Sequence, residues 1–116
     1  MSEAVRTARL LTEGLCDALV SNGQSGVMAE AAWSLANGSL DDLPAAWAMI
    51  SSRPAELIGL ADRGTLDHGK RADLVIVDAM SRTVAATIAK GRLCYATVAL
   101  ASRFGVSDVE WPVAAE

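Results

Sequence analysis

Asp73-Leu74-Val75-Ile76-Val77-Asp78 is the stretch on which the fold turns. Its apolar, largely β-branched centre between two aspartates reads as a strand, either covered on both faces or set against another subunit. Downstream, Val84, Ala86 and Ile88 alternate with Ala85, Thr87 and Ala89, and Lys90-Gly91-Arg92 turns the chain before residues 93–96. That pattern predicts two further strands joined as a hairpin.

Working back from this sheet, the chain reads as helices. Val5, Ala8, Leu11 and Leu15 recur at three to four residues, the spacing of one helical face, and Gly14 supplies a stop. Leu15-Cys16-Asp17-Ala18-Leu19-Val20-Ser21 is expected as a short buried strand closed by the turn Asn22-Gly23. A second helical stripe, Val27, Met28, Ala31, Ala32, Leu35 and Ala36, ends at Asn37-Gly38, with Trp33 on its flank. Ser39-Leu40-Asp41-Asp42 resembles a capping box with Asp42 in place of the usual Glu, and Pro44 is tolerable in a first turn. Leu40, Leu43, Trp47 and Ile50 follow at spacings of three, four and three, so a helix is predicted over 40–51. Pro54 disfavours helical geometry at Arg53, which predicts a break near Ser51 or Ser52 and a short helix over 55–60.

Gly64 and Gly69 punctuate a loop, expected to be exposed, that carries Asp62, Arg63, Asp67, His68, Lys70 and Arg71. Arg63, Lys70 and Arg71 are candidates for binding a phosphate. Their spacing matches neither a P-loop nor a dinucleotide fingerprint, and solvated loop charge is the simpler reading. Ser21, Ser51 and Ser52 have no base that sequence assigns to them. Trp33 and Trp47, at helical spacings, read as core or interface. Residues 98–104 fit a short helix and 105–116 a tail, in which Trp111 is unusual.

At 116 residues, 52% of them apolar, the chain fits one domain over 1–104 followed by that tail. The net charge is −4, with both signs interleaved, so nothing asks for nucleic acid. No stretch approaches the roughly 20 apolar residues of a membrane span, and the first residues lack a secretory core, which makes the cytoplasm the expected compartment. Cys16 and Cys94 stand far apart without CxxC spacing and read as buried or partly buried thiols.

The segment Ser51-Ser52-Arg53-Pro54-Ala55-Glu56-Leu57-Ile58-Gly59-Leu60, then Arg63-Gly64, then Gly69-Lys70-Arg71-Ala72-Asp73-Leu74-Val75-Ile76-Val77-Asp78, resembles the carboxy-terminal signature of amidohydrolases. Glu13 to Asn22 is similar to the last barrel strand of one branch, the phosphonate-pathway hydrolases. The resemblance covers roughly residues 10 to 98. It implies a helix packed outside a barrel, followed by a small β-subdomain closed by the hairpin at Lys90-Gly91-Arg92.

The resemblance also implies a carboxylate at the end of the last barrel strand, where this sequence has Asn22, an amide that cannot take a proton as a carboxylate does. Asn22 is therefore expected as a vestigial catalytic position that now serves as a turn. The family holds one or two metals through a His-x-His pair and further histidines, whereas this sequence has one histidine, His68. An exposed loop histidine is the expected role, and no metal or other cofactor is expected, since a catalytic zinc typically takes about three protein ligands.

These readings converge on an α+β fold, with helices on one face of a small sheet of three to four strands and no complete TIM barrel, which needs about 200 residues or more. The function expected is that of an amidohydrolase-like carboxy-terminal fragment, inactive alone. The alternative is a self-associating interaction or assembly module. A sheet of this kind has open edges, so a homo-oligomer, in the simplest case a dimer, is expected, with a phosphonate-pathway protein as a further candidate partner.

Overall fold

The computed structural model describes residues 3–21, 23 and 26–105. These fall in two compact units, Met1–Lys70 and Arg71–Glu116.

The first unit is helical: α1 (Glu3–Thr12), α2 (Val27–Leu35), α3 (Leu43–Ala48) and α4 (Ser52–Leu57). Three of these helices close in the same way. After α1, Leu15 N–H donates to Leu10 C=O and Gly14 N–H to Leu11 C=O. After α2, Gly38 bonds back to Trp33 and Asn37 to Ser34; after α4, Leu60 bonds back to Ala55 and Gly59 to Glu56. Each is a Schellman closure, which needs a left-handed residue just past the helix and finds it in Gly14 (φ 69°), Asn37 (φ 50°) and Gly59 (φ 76°).

Three expectations are corrected here. Residues 15–21 form no strand: Leu15 is 69% and Val20 87% exposed, and a strand exists only as part of a ladder. Leu15 serves instead as the closing residue of α1, and Leu19 N–H makes a single bond to Met49 C=O. The helix expected over 40–51 is α-helical only from Leu43 to Ala48. Ser39 supplies half of the expected box, its Oγ accepting a long bond of 3.4 Å from Asp42 N–H. At the far end Met49, Ile50 and Ser51 bond back three residues, tightening the last turn. Finally, α4 starts at Ser52 rather than after Pro54, because a proline in the first turn loses only an N–H that has no intrahelical acceptor.

The packed centre of this unit is Ala32, Ala36 and Ala46, with Leu35, Leu43, Trp47 and Ile50 partly buried around it. Small side chains let α2 and α3 approach closely, while the larger ones cover the contact from outside.

The second unit holds β1 (Leu74–Asp78), β2 (Thr83–Ala89) and β3 (Arg92–Ala96), then α5 (Val98–Ala101) and a short 3₁₀ turn, Ser102–Phe104. The three strands make an antiparallel sheet in the order β1-β2-β3. The sheet and hairpin read from the sequence are thus present, and the architecture is α+β, with no closed barrel among the described residues. Ile76, Ala86 and Ala96 stand opposite one another across the sheet. With Leu93 they pack against Ala101 and Leu100 of α5, which covers that face. Among the described residues, no helix is long and apolar enough to cross a membrane.

Candidate functional site

Of the residues singled out from sequence, Asn22 lies outside the described residues, as does Trp111. His68 is exposed on its loop. The other three are cations between α4 and β1. Arg63 and Lys70 line an open cleft of about 280 Å3 in the first unit, together with Ser52 and Glu56 of α4 and Thr65. Arg71 begins the second unit.

The loop that carries Arg63 approaches α4 so closely that only glycine fits at its turn. A Cβ on Gly64 would lie 2.8 Å from Ala55 Cβ and 3.1 Å from Ser52 Cα, and φ there is +99°. Both constraints independently exclude a side chain.

Two of the three cations are held by neighbouring carboxylates. Arg63 donates through Nε and a terminal nitrogen to the two oxygens of Asp62, at 2.9 and 3.2 Å. Arg71 Nε donates to Asp73 Oδ2. The side chain of Lys70 makes no ion pair with any described residue, so it is the cation best able to meet an incoming anion. The sequence reading left these charges as a solvated loop and did not pair Asp62 with Arg63 or Asp73 with Arg71.

Asp73 and Asp78, the polar ends of the decisive stretch, turn out to be structural. The second oxygen of Asp73 accepts from Lys90 N–H at 2.9 Å, and Gly91 N–H donates to Ala72 C=O at 2.8 Å. Lys90 (φ 51°) and Gly91 (φ 74°) form the two-residue hairpin turn between β2 and β3, and two positive φ values are what that turn requires. Asp73 thereby fixes a left-handed lysine, which alone costs roughly 1–2 kcal/mol. Asp78 Oδ1 accepts from the N–H groups of Met80 and Ser81 at the opposite end of β1. Hydrogen bonds from the Ser81 and Met80 backbone hold its carboxyl below the usual carboxylate range. One strand therefore carries a turn-forming carboxylate at each end.

The described residues contain no group of three or more His, Cys, Asp or Glu side chains placed to hold a metal ion. The metal that the amidohydrolase resemblance implies thus finds no fitting donor set among the described residues. Cys16 is a half-buried free thiol, as expected, whereas Cys94 is a free thiol that is exposed rather than buried, because it is the unpaired extra residue of the outer strand β3.

The stretch Gly69 to Asp78, read in the sequence as a family signature, folds as β1 with the carboxylates Asp73 and Asp78 fixing turns at its two ends. Residues 25–99, more than half of the chain, match the amidohydrolase family, and the chain belongs to it. Over 74 residues it is 35% identical to alpha-D-ribose 1-methylphosphonate 5-triphosphate diphosphatase of Escherichia coli (strain K12), covering 62% of this chain and 20% of that enzyme. The chain therefore spans about one fifth of the length of that relative. No solved structure matches it. Asn22 lies before the family-matched span.

Proposed function

We propose that this chain is the carboxy-terminal part of an amidohydrolase of phosphonate metabolism, acting in the cytoplasm, and that by itself it does not hydrolyse substrate. The observation that carries the reading is the 35% identity to the ribose methylphosphonate triphosphate diphosphatase. The inactivity rests on the sequence, which has one histidine, exposed on a loop, where the family's metal chemistry draws on several. Asn22 adds to it, since an amide cannot act as the base that a carboxylate supplies. The test is to incubate the purified chain with alpha-D-ribose 1-methylphosphonate 5-triphosphate and zinc, follow pyrophosphate, and determine bound metal by elemental analysis. We expect no release above the protein-free control and less than stoichiometric metal. Release together with stoichiometric metal would overturn the inactivity.

A second reading, a self-associating module without catalysis, is supported by the sheet itself. Its order ends at β1 on one side and β3 on the other, leaving the outer backbone groups of both strands without a strand partner among the described residues.

A further inference from the structure

The two outer strands differ in how their free edges are protected. In the β2–β3 ladder Thr87 pairs with Tyr95 and Ile88 with Leu93, so the unpaired extra residue, Cys94, belongs to the outer strand β3. A bulge in an edge strand twists it and disrupts further pairing. In the β1–β2 ladder Ile76 pairs with Ala86 and Val77 with Val84, so the extra residue, Ala85, belongs to the central strand. β1 therefore keeps Leu74-Val75-Ile76-Val77 unbroken, with no proline, glycine or lysine to blunt it, and Val75 is 44% exposed.

We propose that β1 is the strand through which two copies of this chain join, antiparallel and about a two-fold axis at Ile76, giving one sheet of six strands. The proposal rests on the self-association reading and names its surface. The occupant is a second copy because the strand is complementary to itself. With Ile76 opposite Ile76 of the copy, Val75 meets Val77 and Val77 meets Val75, so the three central pairs are apolar. A slip of one residue sets Asp73 opposite Asp78, a like-charge pair, and mismatches the faces of the two strands. In the favoured register the strip Val75, Thr87 and Tyr95, aligned across the sheet, continues into Val77 and Val84 of the copy. The α5-covered faces then lie together on the other side, an isologous arrangement that closes both β1 edges at once.

The full chain is examined by light scattering over a hundredfold dilution series, unaltered and as Val75→Lys and Cys94→Lys. The unaltered chain and Cys94→Lys are expected at twice the 12.1 kDa chain mass at the concentrated end, and Val75→Lys at the single-chain mass throughout. Amide hydrogen exchange on the unaltered chain gives a reading independent of any variant's folding. Raising concentration should slow exchange in 74–78 and leave 92–96 unchanged. A single-chain mass at every concentration overturns both self-association and this surface. A dimer that keeps its mass in Val75→Lys, or gains protection in 92–96 instead of 74–78, preserves self-association and overturns the assignment to β1.

Discussion

In residues 3–70 the chain is shaped mainly by its backbone: three helices end on left-handed residues whose amides bond back to the last turn, and the loop after α4 is admitted by a glycine. In residues 71–105 side-chain carboxylates shape it: Asp73 and Asp78 each accept backbone amides and fix the turns at the two ends of β1. Both units have an alanine centre, Ala32, Ala36 and Ala46 in one and Ala86, Ala96 and Ala101 in the other. Burying an alanine removes little apolar surface from water, and among the described residues Trp33, 4% exposed in the first unit, is the one large side chain buried in either unit. The contrast teaches that, where buried bulk is scarce, the residues that matter most are those that fix the direction of the chain.

The sharpest way to break this contrast is to add one methyl group to a glycine in each unit. Gly64→Ala meets Ala55 Cβ and the Ser52 backbone as well as a disfavoured φ, and should lower the stability of the first unit by about 3 kcal/mol. Gly91→Ala has the same sign of φ, but its nearest neighbour, Ala72 Cβ, is 3.9 Å away, so only backbone strain of about 1 kcal/mol is expected. Urea unfolding of both variants checks the ratio, and equal losses would mean that close packing at α4 adds nothing.

Next in size is Asp73→Ala, which removes the acceptor of Arg71 and Lys90 together. A loss of about 2 kcal/mol is expected, with faster amide exchange at residues 90–91 than at 79–82. If the two turns respond alike, the carboxylates do not act locally.

The smallest effect is at exposed Asp78. Its folded pKa is depressed, so its contribution is fully present above the ordinary carboxylate pKa and is lost as pH falls through the folded value. Acidification below about pH 4 should therefore loosen the Met80 and Ser81 amides, followed by NMR, whereas Asp78→Asn should make them insensitive to acid. A variant that retains the transition would assign it to another group.

Much of this was legible in sequence for local reasons. The strand at 74–78, the alternation at 84–89 and the turn at Lys90-Gly91 follow from periodicity and turn chemistry, and the stops at Gly14 and Asn37-Gly38 follow from the need for left-handed residues. Residues 15–21 misled because apolar content does not supply a neighbouring strand. Pro54 misled because its effect depends on whether the helix has already begun. In the candidate site the charges of Arg63, Lys70 and Arg71 were legible, but their availability was not. It depends on which carboxylate each side chain reaches, and only Lys70 is left without one among the described residues.

The sequence by itself determined the α+β class and the strand-turn-strand order, because these rest on residue type and on spacings of a few residues, while the family was legible as a resemblance carried by the stretch from Ser51 to Asp78. Only the tertiary structure decided that Asp73 reaches Lys90, that Gly64 lies against Ala55, and that the bulges fall in β2 and β3 and spare β1. Each of these depends on backbones brought together from distant parts of the chain, where a difference of a fraction of an ångström, or of one residue in register, sets the outcome.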